Sequence, residues 1–188
     1  MRKFVQTAVA AIPIVLALSP IRAEIAKQPG LTKHPALPAP VVRHLGAAEG
    51  WAAYTYKGHL GQVCYITGFP AKREPTTLKR RPPVMMVTHR PSENVTDVVS
   101  FDIGSPFKEG SDATLEVDGS KFALFTKGDT AWSRTSDLDK AIVAAMAKGS
   151  HAVIEGTAQK GPTVTDNYTL TGFGRALALI DKACGVNR

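Results

Sequence analysis

The stretch ATLEVDGSKFALF, residues 113–125, decides the fold class. Asp118-Gly119 between two apolar runs is the signature of a two-residue type I′ turn, because both central residues must take positive φ. With that turn, Val117 faces Ser120, Leu115 faces Phe122 and Ala113 faces Leu124, so the apolar residues share one face of a hairpin. A three-residue loop would set Glu116 against Phe122 and mix the faces. The two-residue turn is therefore expected, and with it an antiparallel sheet.

Further runs of the same kind lie on both sides. WAAYTY (51–56), QVCYITGF (62–69), PVMMVTHR (83–90) and VTDVVSFDI (95–103) precede the hairpin, and HAVIEGTA (151–158) and VTDNYTLTG (164–172) follow it. Turn residues separate them at strand-like intervals. Two segments have helical spacing instead. In SDLDKAIVAAMAKG, Ser136 is the expected N-cap, with Asp139 three residues on in a capping-box position. Leu138, Ile142, Val143, Ala145 and Met146 form its apolar stripe, and Gly149 stops it. At the C-terminus, Phe173, Leu177, Ile180 and Cys184 fall on one helical face. The expected fold is mainly β: a single-domain antiparallel β-sandwich or partly open barrel of about eight strands, with two short helices, one internal and one C-terminal.

The first 23 residues read as a secretory signal peptide, with Arg2 and Lys3, an apolar run and a small-residue exit at Ala23. Residues 24–46, with Pro29, Pro35, Pro38 and Pro40, read as an extended tether. The folded domain is expected over residues 47–188, its first strand starting at Trp51. No segment after the signal peptide is apolar for long enough to form a membrane-spanning helix. Export makes a Cys64–Cys184 disulfide the default for the two cysteines; two free buried thiols or a reactive pair fit an oxidising compartment less well.

Charge is concentrated. Of the 23 basic residues, Arg2, Lys3 and Arg22 precede the cleavage site; the remaining 20 stand against 16 acids, a net +4. KREPTTLKRRPP, residues 72–83, holds Lys72, Arg73, Lys79, Arg80 and Arg81 against Glu74 alone, which is the whole excess. These five residues are the candidate contact for an anionic envelope or host-surface component. The stretch lacks aromatics, so nucleic-acid binding is not expected.

Signatures of chemistry are sparse. The chain has no HExxH, CxxC, GxSxG or Walker A motif, and its five histidines show no ligand spacing, so neither a catalytic centre, a metal site nor a cofactor is expected. Gly172-Phe-Gly174 lacks the third glycine of a dinucleotide loop, and packing at a helix start explains it better. Asn94-Val-Thr96 and Asn167-Tyr-Thr169 match the glycosylation pattern. Trp132 is expected as a core anchor. Asp129 and Asp166 are the residues of an alternative reading, an uncharacterised periplasmic hydrolase.

Several segments together resemble one family. QVCYITGFP, RRPPVMMVTHRP, SFDIGSPFKEGSDATLEVDGSKFALFTKGDTAW, AMAKGSHAVIEGTAQKGPTVTDNYTLTGF and ALIDKAC, in that order between Trp51 and Cys184, resemble the invasion-associated locus B family of exported alphaproteobacterial proteins. The resemblance implies a cell-envelope protein, periplasmic or associated with the outer envelope, in a family named for a role of some members in host-cell entry. It implies no catalytic mechanism. The function expected is non-catalytic binding.

Overall fold

The computed structural model describes residues 39–188. The expected signal peptide, residues 1–23, and the tether as far as residue 38 lie outside the described residues. The far end of the tether needs correction. β1 (Arg43–Ala48) is a strand paired antiparallel with β2 (Trp51–Gly58), so the folded domain begins before residue 47. The register of β1 shifts between His44 and Gly46, and such a bulge breaks the two-residue alternation by which a strand is read from sequence.

The remaining elements are β3 (Gly61–Gly68), β4 (Lys72–Glu74), β5 (Val84–Arg90), β6 (Val95–Asp102), β7 (Asp112–Val117), β8 (Ser120–Lys127), β9 (Thr130–Trp132), α1 (Ser136–Lys148), β10 (His151–Thr157), β11 (Thr163–Thr169) and α2 (Phe173–Cys184). Among the described residues all eleven strands belong to one sheet, ordered β1-β2-β3-β5-β6-β9-β8-β7-β10-β11-β4, and the pairings are antiparallel. This corrects the expected sandwich and the count of about eight. The sheet is a single piece, not closed, and β1, β4 and β9 are the additional strands. β4 and β9 have three residues each, too few to show a period.

The hairpin forms in the expected register, with Val117 opposite Ser120, Leu115 opposite Phe122 and Ala113 opposite Leu124. Asp118 (φ 44°) and Gly119 (φ 89°) both take positive φ, as the type I′ turn requires.

The sheet curls until distant strands meet across its inner face. Trp51 on β2 donates from Nε1 to the Thr169 carbonyl on β11 at 3.0 Å, and Phe101 on β6 meets Tyr168 on β11 edge-on, 5.9 Å between ring centres. The core formed this way includes Ile66, Met85, Val87, Val99, Leu115, Leu124 and Ile154. α2 covers β1, β2, β3 and β5 with Phe173, Ala176, Leu177, Ile180 and Cys184, while α1 lies along β6. Burial of a large apolar side chain contributes about 1.5–3 kcal/mol, and both helices are held mainly by such faces.

The cap of α1 also differs from expectation. Thr135, one residue before Ser136, is the N-cap, and its hydroxyl accepts from Leu138 N–H at 3.2 Å. Asp139 forms no capping box. Its Oδ1 accepts from Val99 N–H on β6 at 2.9 Å. The ladder from β9 ends at Ser100, so this stretch of β6 has an unpaired edge, which Asp139 satisfies.

Candidate functional site

The basic segment is taken apart by the fold. Lys72, Arg73 and Glu74 form β4, which pairs with β11, and Lys72 Nζ lies 2.8 Å from Glu74 Oε1. Arg80 is not on the surface. Its side chain is 2% exposed, that of Asp166 is 0% exposed, and the two form a two-pronged ion pair. Arg80 Nη1 also donates to the Ile103 carbonyl at 2.8 Å. Arg81 bridges Asp129 at 2.6 Å and Asp102 at 3.2 Å. Only Arg73 and Lys79 have no acidic partner among the described residues. Five bases now stand among four acids, Glu74, Asp102, Asp129 and Asp166, and the local excess falls to +1. Lys72, Arg73, Lys79 and Arg81 face solvent, Lys72 and Arg81 within their ion pairs.

The two acids of the hydrolase reading are held by two different arginines, Asp129 by Arg81 and Asp166 by Arg80. The other buried polar centre is His89 on β5, fully enclosed. Asp97 N–H donates to its Nδ1 at 3.0 Å, so Nδ1 carries no hydrogen and Nε2 donates to Asp181 Oδ1 on α2 at 2.9 Å. Both ring nitrogens are thereby occupied. Arg188 closes the cluster through Asp97 Oδ1 (2.6 Å) and Asp181 Oδ2 (2.7 Å). His89 is also the cross-strand partner of Cys64, whose bridge to Cys184 pins the same helix. Among the described residues no group of three or more His, Cys, Asp or Glu is placed to hold a metal ion, and no helix is long and apolar enough to cross a membrane.

The sequence did not mark the aromatic groups on the outer face of the sheet. Tyr54 stacks on Tyr65, 5.3 Å between ring centres, with Tyr56 edge-on to Tyr65 at 6.1 Å. Burial, then the neighbouring Tyr54 and Tyr56, push the Tyr65 phenol upward. On β8 and β9, Phe125 stacks on Trp132 at 5.8 Å, with the Arg134 guanidinium 5.6 Å from the Phe125 ring centre. Two neighbouring cross-strand rows of uncharged residues lie between the groups: Tyr65, Thr88 and Val98 in one, and Met86, Ser100 and Trp132 in the next. Trp132 is therefore no core anchor. Ala131 is the buried residue of β9, and alternation turns Trp132 outward. The tyrosines at 54 and 56 do alternate in the sequence, but alternation alone does not say which face meets water.

These features define a class: an antiparallel β domain, stapled by a disulfide, with the buried Arg80, Asp166, His89 and Asp97 tied into structural pairs and an aromatic band outside. The chain belongs to the Invasion associated locus B (IalB) protein family, whose model matches residues 51–181. A solved structure with this fold is the crystal structure of invasion associated protein B from Bartonella henselae. The TM-score is 0.54 at 19% identity, over 75% of this chain and 97% of that chain. No curated protein matches.

Proposed function

We propose that this chain is an exported cell-envelope protein that acts by binding and not by catalysis. The observation that supports binding is the outer band from Tyr54 and Tyr65 to Trp132 and Phe125. Tyrosine, tryptophan, phenylalanine and methionine at the surface, with lysine and glutamate absent from the centre, is the composition of a recognition surface. Both sheet edges are poor sites for strand addition. β1 is bulged, and β4 is short, charged and followed by Pro75, which leaves the face as the docking side. The non-catalytic half of the reading is supported by Arg80, Asp166, His89 and Asp181, each of which holds one element to another. Family membership and the Cys64–Cys184 bridge fit a periplasmic or outer-envelope location. By analogy with the invasion associated protein of Bartonella henselae, contact with a host cell is one setting for such binding.

The test is retention of the purified protein on isolated envelopes or intact host cells. Tyr65→Ser with Trp132→Ala should abolish retention without unfolding the protein. Undiminished retention would refute the outer face as the docking side. The exposed Lys72, Arg73 and Lys79 supply a second, electrostatic contact for anionic groups, which weakens as salt shortens the Debye length to about 8 Å.

A further inference from the structure

β9 ends at Trp132, and α1 begins four residues later. Between them, beside the unpaired edge of β6, is a notch of about 430 Å³ lined by Val98, Phe125, Lys127, Trp132, Ser133 and Asp139. We infer that this notch binds one pyranose ring of a neutral glycan chain. The inference rests on the binding function proposed above and names the ligand class for one end of the aromatic band.

The lining has two chemistries. The stacked Trp132 and Phe125 rings and Val98 give an apolar wall. A pyranose ring has a face of C–H groups that packs on such a wall and an edge of hydroxyls that seeks acceptors and donors. Asp139 supplies acceptors. The residue is 8% exposed, and a carboxylate offers about four acceptor positions, of which Val99 N–H engages one. Lys127 supplies donors at the rim. The charges argue for a neutral ligand: Asp139 disfavours an anion and Lys127 a cation, while nearby Arg134 is already paired with Asp112 at 2.8 Å. The volume is within the common range for small-ligand sites of about 300–1,000 Å³.

The two tryptophans make the test direct. Trp51 is buried, with its indole N–H bonded to Thr169, and serves as the internal control; Trp132 faces the notch. Chitotetraose is titrated into the full mature protein while both indole N–H resonances are followed by NMR. The expected result is a saturable shift of Trp132 with Trp51 still. Trp132→Ala should abolish binding, Trp132→Phe should retain part of it, and Asp139→Asn should weaken it about tenfold. No shift, binding unchanged in Trp132→Ala, or a shift caused only by a sulfated heparin tetrasaccharide would overturn the assignment. Parallel retention on peptidoglycan sacculi would identify a cell-wall glycan as the source, and retention on chitin beads alone an external one. Wild-type protein held by envelopes but unmoved by chitotetraose would sink the notch and leave envelope binding intact. A chitotetraose shift without envelope retention would do the reverse.

Discussion

Arg80 and Asp166 are 86 residues apart in sequence and form a two-pronged ion pair in which neither side chain reaches water. The pair ties the segment after β4 to the inner face of β11. Removing one partner from such a pair strands a charge in the core, at a cost of about 3–5 kcal/mol. Arg80→Met and Asp166→Asn should each lower stability in urea unfolding by this order. The double replacement Arg80→Met with Asp166→Leu should recover much of the loss. Single variants as stable as the wild type would contradict a structural role.

Cys64 and Cys184 close a loop with a sequence separation of 120. In the chain-entropy account a closure of that size contributes roughly 5 kcal/mol. Cys64→Ser, or reduction, should strongly depress the unfolding midpoint and free α2 from β3 first, visible as faster amide exchange in residues 173–184. The same midpoint with and without reductant would exclude this contribution.

Two carboxyls give stability opposite pH dependences. Burial pushes Asp139 above the usual range, partly offset by the hydrogen bond from Val99 N–H. The folded state therefore holds this proton more tightly, and stability declines as pH rises from the ordinary carboxylate value to the raised one. For Asp181, burial acts upward, but hydrogen bonds from His89 and Arg188 outweigh it and hold the carboxyl low. Its contribution is complete above the ordinary value and is lost as pH falls through the lowered one. Urea midpoints from about pH 2 to pH 7 should show Asp139→Asn flattening the upper window and Asp181→Asn the lower.

Two glycines at positive φ should respond unequally to alanine. Gly119 (φ 89°) has open space where a Cβ would sit, so Gly119→Ala carries only backbone strain, about 1–2 kcal/mol. At Gly104 (φ 77°) a Cβ would overlap the Arg81 carbonyl oxygen, displacing the chain beside Arg80. Thermal melts should therefore show Gly104→Ala as clearly the more destabilising. Equal losses would mean that the close approach to Arg81 is not maintained.

Charge reversal should separate the basic residues into two kinds. Lys72→Glu, Arg73→Glu and Lys79→Glu together should reduce binding to anionic envelope polymers and its salt dependence, with little change in melting temperature. Arg80→Glu should unfold the protein, because it sets two buried carboxylates against each other. Binding that ignores the triple reversal would remove the segment from the contact surface.

Much of the fold was legible because the deciding interactions are local. Asp118-Gly119 sets its own turn, and the alternation around it sets the register. The apolar face of α2 could be read from Phe173 to Cys184 for the same reason. β1, β4 and β9 were not legible. A bulge at Gly46 hides the first, and the other two exist only because β11 and β6 offer them ladders. Tyr54, Tyr65 and Trp132 posed a further problem: a two-residue period marks two faces without saying which one is covered.

By itself, then, the sequence determined an antiparallel, β-rich domain with two helices, the pairing of its cysteines as the default in an exported chain, and the number of charges in residues 72–83. Local propensity, periodicity and composition carry that information. Only the tertiary structure decided what those charges do. Asp166, Asp102 and Asp129 come from other strands and turns, and once folding brings them to Arg80 and Arg81, Arg80 becomes a buried structural residue and Arg81 is held in a surface ion pair. The same curling of the sheet put Trp51 inside and left Trp132 at the surface. Burial and charge pairing depend on what the fold brings alongside a residue, and no local stretch contains that.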